Sequence, residues 1–386
     1  MKRYRRTTLI MVACVAVLLG LVAARRVSFS PEAWCFIFLP TLLLLKSKNL
    51  TSLLIVITLG LGVGLWRGGQ FMHKLEDINT YSGRQITVQA VAKSDATYSK
   101  FNTQLEFTAG NITVQPEGRP LAGMFKISGF GIPMVYRGDT VQVTGKLYPA
   151  RGSNQARMSY AQLETISADS SWLNKFTREF AAGIRNALPE PLSSFGLGIL
   201  IGQRNTMSEE MTVQLTTVGL VHIVAVSGYN LTIMVRGISR LKLGSKYQQL
   251  MLSITLIGLF VVITGFSASI VRAALISGLG LWAWYYGRKA RPLVLLLFTA
   301  AVTSLARPFY IWGDLGWYLS FLAFFGILVI APAISRRLFK RPLKLLSLVV
   351  LETLAAEIMT LPLIMMIFGQ LSIVALLANA IIVPLV

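Results

Sequence analysis

The chain has 386 residues, of which 54% are hydrophobic and only 14% charged, too apolar a mixture for an ordinary water-soluble domain. Its net charge of +21 invites a polyanionic partner until the charges are placed along the chain. Most of them fall in short loops between apolar runs, which removes the case for nucleic-acid binding on bulk charge alone.

The basic start MKRYRR leads into TLIMVACVAVLLGLVAA (8–24), followed by AWCFIFLPTLLLL (33–45) and LTSLLIVITLGLGVGLW (50–66). These runs make residues 1–70 a set of about three transmembrane helices. The first run, with its basic flank and small residues, also fits a cleaved signal peptide. Cleavage would leave the topology of the rest unchanged. Cys14 and Cys35 sit in the first two runs and belong to no metal-spaced cluster, so neither a disulfide framework nor a zinc site is implied.

Residues 71–170 change character. QITVQAVAKSDA (86–97), NTQLEFTAGNITV (102–114), GMFKISGF (123–130), DTVQVTGKLYPA (139–150) and AQLETIS (161–167) alternate apolar with polar residues between turn formers. Five short strands at this spacing predict a small OB-like barrel, whose face commonly takes single strands or sugars. The region is nearly neutral, with nine Lys or Arg against eight Asp or Glu over 75–170. Lys93, Lys100 and Lys126 flank a path on which Tyr98 and Phe101 are candidate stacking residues. A solvated barrel that only scaffolds the membrane part is the competing reading. WLNKFTREFAAGIRNAL (172–188) places Trp172, Phe176, Phe180 and Ile184 on one side, so 171–192 reads as an amphipathic interfacial helix.

From 193 onward apolar runs resume, at about 219–235, 249–266, 269–286, 292–306, 316–333 and 345–368, with a last one running to the end. SSFGLGILIG (193–202) is too short to span and reads as re-entrant or interfacial. With the N-terminus inside and three crossings before residue 70, the loops carrying Arg236, Arg240, Lys242 and Lys246, then Arg288, Lys289 and Arg291, then Arg336, Arg337, Lys340, Arg341 and Lys344 all fall inside. This positive-inside asymmetry puts the β domain outside. The fold class is therefore a polytopic α-helical membrane protein with an inserted all-β OB-like barrel domain.

Polar residues inside apolar runs are the candidate site. VHIVAVSGYNLTIM (221–234) holds His222, Ser227, Gly228, Tyr229 and Asn230. Five residues of helix separate His222 from Ser227 by about 140°, which argues against a Ser-His hydrolase. Close helix packing through Ser227 and Gly228 competes with a polar path on which His222 and Tyr229 share a face. Arg272 is a candidate backbone-phosphate contact or ion-pair partner. Thr353, Glu357 and Thr360 form one polar stripe from which Glu352 points away, and an ion pair between Glu357 and Arg272 is the favoured reading. Asp314 reads as a helix cap.

Several of these stretches occur in an order that resembles the ComEC family of DNA-uptake channels. GLGILIGQRNTMSEEMTVQLTTVGLVHIVAVSGYNLTIM (196–234) looks like the opening of that family's competence domain, and GFSASIVRAALISGLGLW (265–282) resembles its Arg-Ala element. GDLGWYLSFLAFFGILVIAP (313–332) is similar to its Asp-x-Gly-aromatic-x-Leu-Ser-Phe element. AAEIMTLPLIMMIFGQLSIVALLANAIIVPLV (355–386) is similar to its Thr-Leu-Pro, Phe-Gly and Ala-Asn elements. The pattern departs from the family at Tyr229 and Asn230, where Leu and a second His are usual. The resemblance makes 193–386 a competence-type channel domain, and the end in IIVPLV, ahead of the last helices the family has, implies a shortened chain or a split gene.

The resemblance implies a channel in the bacterial cytoplasmic (inner) membrane that passes single-stranded DNA inward during natural transformation. Many relatives add a metallo-β-lactamase-like nuclease. Here His73 and His222 are the only histidines, so a His-rich two-metal site is not expected, and the chain reads as a non-enzyme without cofactor. No phosphate-binding loop is present either. The expected partners are single-stranded DNA, membrane lipid, a separate nuclease, a cytoplasmic ATPase and DNA-binding competence proteins. The alternatives are a transporter of another polyanion or of a lipid-linked sugar and, further off, an intramembrane hydrolase.

Overall fold

The computed structural model describes residues 5–26, 50–98, 104–131, 135–150, 154–202, 207–220, 231, 234–235, 237–238, 245–339, 345–369 and 373–382. In chain order the elements are α1 (Arg6–Ala23), α2 (Leu50–Thr80), β1 (Gln85–Ala92), β2 (Thr97–Tyr98), β3 (Leu105–Gln115), β4 (Arg119–Leu121), β5 (Phe125–Gly131), β6 (Thr140–Pro149) and β7 (Ala156–Ser167). Then come α3 (Trp172–Ala187), α4 (Leu192–Ile201), α5 (Glu209–Thr217), α6 (Lys246–Ile263), α7 (Ala268–Tyr285), α8 (Pro292–Ala306) and α9 (Phe309–Gly313). The last are α10 (Leu315–Phe325), a π-helical stretch (Gly326–Ile330), α11 (Ala331–Leu338), α12 (Leu345–Phe368) and α13 (Ile373–Ile382).

Six helices are long and apolar enough to cross a membrane among the described residues: Arg6–Ala23, Thr51–Thr80, Lys246–Ile263, Ala268–Tyr285, Leu315–Leu338 and Ser347–Ile367. The chain is a multi-pass membrane protein. The apolar run at 33–45 and most of that at 219–235 lie outside the described residues. The run at 292–306 forms a helix of only 15 residues, about 22 Å long and short of a full hydrocarbon crossing. The run at 193–202 is the 10-residue α4, ended by Gly202 in the left-handed conformation.

The contacts divide the chain into two units, one built on Val15–Glu179 with Ser304–Leu315, the other on Phe180–Thr303 with Gly316–Val386. In the first, α1 and α2 meet backbone to backbone. A Cβ on Gly20 would overlap the Leu61 carbonyl, and one on Gly64 would overlap the carbonyl of Val17. Small residues at such a crossing replace the hydrophobic drive that lipid cannot supply. The Trp312 indole N–H donates to the Leu21 carbonyl at 2.8 Å, and Arg67 Nε donates to the Leu305 carbonyl at 2.9 Å.

Helix α2 does not stop where its apolar run ends at Trp66 but continues to Thr80. Its polar last turns are held by the sheet: Ile78 and the following Tyr81 are buried in the β core, and Asp77 accepts from Arg119 Nη2 at 2.6 Å. Tertiary packing thus extends a helix that composition alone would end early.

The sheet has seven strands in the order β1-β6-β7-β5-β3-β2, with β4 on β3 and a further β1–β3 pairing. All pairs are antiparallel except β5 with β7. The expected small five-strand barrel is found as a larger sheet and not as a clean barrel: β1 slips register between Gln89 and Val91 where it meets β3, and two short strands are appended. Alternation sends Val88, Phe107, Phe125, Ile127, Val143, Leu147 and Met158 inward. Full burial of a ring such as Phe125 contributes about 2–3 kcal/mol.

Buried Asp139 ties the sheet to α3. One carboxylate oxygen accepts the Tyr136 N–H at 2.7 Å, and the other accepts the Asp169 N–H at 2.8 Å. Asp169 in turn accepts from Ser171 N–H and Asn174 Nδ2, and Arg178 lies over the Tyr136 ring. In the second unit Ala181 and Ile184 of α3 pack on Leu197 and Ile201 of α4, while Trp172, Phe176 and Phe180 remain exposed. Helices α6 and α7 form a hairpin turned by Gly265 and Phe266, both with positive φ.

Two outcomes follow from this packing. Gly64→Val pushes α1 off α2 and lowers unfolding stability in detergent by about 1–3 kcal/mol, read as a fall in the thermal midpoint. Asp139→Ala leaves two part-buried backbone donors without their carboxylate, at a cost of about 1–2 kcal/mol, and speeds amide exchange at Tyr136 and Asp169.

Candidate functional site

Leu231, the residue that follows the polar motif of 221–230, is fully buried among Ile257 of α6 and Ala273 of α7, with Phe324 of α10 packed against the same cluster. His222, Ser227, Gly228, Tyr229 and Asn230 themselves lie outside the described residues. The cluster nonetheless joins stretches that are far apart in sequence: the end of the first polar motif, the Arg-Ala element and the Asp-x-Gly-aromatic element.

Arg272 makes the polar part of that junction. Its side chain is 3% exposed. Its Nη2 donates to the Gly316 carbonyl at 3.1 Å, and the guanidinium sits 6.0 Å from the centroid of the Phe321 ring. The neighbouring Trp317 packs on Phe321, at 4.6 Å between centroids, and its indole N–H donates to Thr303 Oγ1 at 3.2 Å. A planar, permanently charged donor suits a carbonyl at the start of a helix and a ring beside it better than an ammonium would. Arg272 is thus a clamp between α7 and α10.

The favoured ion pair between Arg272 and Glu357 is not formed. Both Glu357 carboxyl oxygens are buried, and the Arg272 guanidinium is not among their hydrogen-bond partners. Glu357 instead faces the buried Asn379 of α13. Thr360 turns its hydroxyl onto its own helix, at the carbonyls of Ala356 and Glu357, and Thr353 does the same at Val349. These threonines satisfy themselves and do not form an open polar stripe. Glu352 is buried, as is Thr353. Beside Glu357 the π-helical stretch brings Gly326 against the backbone of Ala355 and Ala356, where a Cβ would not fit. Asp314 lies between α9 and α10, immediately before Leu315.

On the sheet, Lys93 and Lys126 come to opposite sides of Thr108. The Lys93 N–H donates to the Thr108 carbonyl at 2.8 Å, and Lys126 stands opposite Thr108 in the β3–β5 register. Lys93 is exposed. Lys126 is paired with Glu106 at 2.9 Å. Tyr98 forms the short β2 with Thr97. Its side chain, with Lys100 and Phe101, lies outside the described residues. Of the other rings this region offers for base stacking, Phe107 and Phe125 fill the core, while Phe130, Tyr136, Tyr148 and Tyr160 are exposed. Among the described residues no group of three or more His, Cys, Asp or Glu is placed to hold a metal ion.

Arg272→Gln removes the charged donor at the Gly316 carbonyl and the contact with Phe321. The expected loss is about 1.5–3 kcal/mol of stability, checked by thermal unfolding in detergent, with Arg272→Lys recovering only part of it.

Residues 199–386 match the Competence protein family. The chain is also 26% identical over 200 residues to ComE operon protein 3 of Bacillus subtilis (strain 168), an alignment that takes in 51% of this chain and 25% of that one. The chain thus spans about a quarter of the length of the curated relative it matches. No solved structure matches it. The matched domain, close to half of the chain, contains the junction of Leu231, Arg272, Gly316 and Phe324, and it is as a domain of the Competence protein family that residues 199–386 are identified.

Proposed function

We propose that the chain forms the part of a DNA-uptake channel that passes single-stranded DNA across the bacterial cytoplasmic membrane during natural transformation. The observation that carries the reading is the convergence, in one buried cluster of the competence domain, of three sequence elements that resemble the family. Such a junction fixes the relative placement of α6, α7 and α10, the scaffold a conducting path needs. The description of the matched family, Competence protein, points the same way.

The sheet supports the reading independently. Its principal strands, taken as β1, β3, β5, β6 and β7, pair in the circuit β1-β3-β5-β7-β6-β1 with only β5 and β7 parallel. That is the connectivity of an OB-fold, a module that commonly holds single strands. The positive-inside distribution of the loops supports a position for this domain outside the membrane, where incoming DNA arrives. On this reading α3, with Trp172, Phe176 and Phe180 exposed, lies on the outer membrane surface.

The channel performs no chemistry of its own. Energy, and degradation of the strand left outside, fall to a separate cytoplasmic ATPase and a separate nuclease. Cells lacking the gene should still bind labelled DNA at their surface but accumulate none in the cytoplasm. Normal cytoplasmic entry in those cells would sink the proposal.

A further inference from the structure

The outer face of β5, β7 and β6 carries three exposed rings, and one of them is held out by an unfavourable backbone. Phe125, Ile127, Met158 and Leu147 point into the core, so the residues that alternate with them point outward. The register sets Lys126, Arg157 and Tyr148 side by side across the three strands. Four residues further along β5, the same face presents Phe130, opposite Gln162.

Between these rows β7 bulges. The register against β5 jumps from Met158 to Ala161 while β5 advances only from Ile127 to Gly129, and the same bulge shifts β6 against β7 between Thr144 and Lys146. Tyr160, in the bulge, has φ +55° and is 77% exposed. A left-handed tyrosine is disfavoured at any position where glycine would serve, and no burial of this ring compensates. The bulge instead aims the ring along the surface to Phe130, 49% exposed, with centroids 6.4 Å apart and planes at 43°. Gly129 and Gly131 permit this, since a Cβ on either would overlap β7 at Ala161 or Leu163.

The charges on this face are mostly basic. Arg157 and Lys146 are exposed and no ion pair involves them among the described residues. Glu106 is taken up by Lys126, and Glu164 lies beyond Gln162, outside the two rows. Exposed ring faces interleaved with cations fit a polyanion that also offers flat apolar faces. A duplex keeps its bases stacked on one another, whereas a single strand has them free to stack on protein.

We propose that the outer face of β5, β7 and β6 is a stacking platform for single-stranded nucleic acid, with unpaired bases on the Phe130–Tyr160 pair and on Tyr148 and phosphates on Arg157 and Lys146. The proposal rests on the channel reading and names the place where the strand is first held. These residues differ from the candidates that the spacing of the sequence singles out.

The test uses the full chain in nanodiscs of zwitterionic phosphatidylcholine and fluorescein-labelled oligothymidylate, read by anisotropy. The intact protein should bind the single strand in preference to a duplex of the same length. Tyr160→Gly removes the ring while suiting the backbone, so binding should weaken roughly ten-fold with an unfolding midpoint no lower than the parent's. Phe130→Ala should weaken binding similarly. Arg157→Gln should lower the slope of log affinity against log salt by about one. Unchanged binding in Tyr160→Gly and Phe130→Ala overturns the platform while leaving the channel intact. Normal DNA entry without the gene removes the channel instead, whatever the oligonucleotide does. Tyr160→Trp separates the other occupant: quenching of the added emission by brominated lipid, and none by oligonucleotide, assigns the face to the membrane surface and overturns the proposal.

Discussion

A bilayer offers helices no gain from hiding apolar side chains from one another, so what holds this protein together within the membrane is close approach of backbones. Where Gly20 meets Leu61, where Gly64 meets Val17 and where Gly326 meets Ala355, nothing larger than hydrogen fits between the chains. Dispersion contacts, individually small, add up only when surfaces come this near. Arg272 reaches the Gly316 carbonyl, Trp317 reaches Thr303 and Trp312 reaches Leu21, each linking two elements through one directed donor. In hydrocarbon, where water offers no alternative partner, such donors are costly to leave unmade.

The sheet follows a different rule. Its alternating residues bury a conventional apolar core, and its departures from regularity are confined to a few positions. The bulge at Tyr160, the slip at Gln89 and Val91 and the glycines of β5 all lie on strands bordering β1–β3 or β5–β7. Asp139 does for the sheet what Arg272 does for the helices, with its acceptors committed to two backbone donors at the junction with α3.

Much of this was legible in the residues. Apolar runs gave α1, α6, α7, α10 and α12, and alternation with turn formers gave the five main strands, because both signals are local and repeat. The continuation of α2 through HKLEDINT to Thr80 was not legible, since its reason is Ile78 packing against a sheet formed by later residues. Charge complementarity alone pointed Arg272 at Glu357. The helix register that turns Arg272 toward Gly316 is a property of the packed bundle and leaves no trace in spacing. Tyr160 is another such case. Period-two counting from the buried Met158 would carry it inward, and nothing in SYAQ announces a left-handed residue, so its exposure on the bulge emerges only with the register of its neighbours.

Helix α2 has a mechanical consequence. At 31 residues it is about 46 Å long, some 15 Å more than the hydrocarbon thickness of a bilayer, and its far end is bolted to the sheet by Ile78, Tyr81 and the Asp77–Arg119 pair. The sheet is carried on a rigid stalk instead of hanging from a flexible tether. A load pulling on the sheet is therefore transmitted as a lever torque on the Gly20–Gly64 crossing, the joint with the least side-chain padding to absorb it.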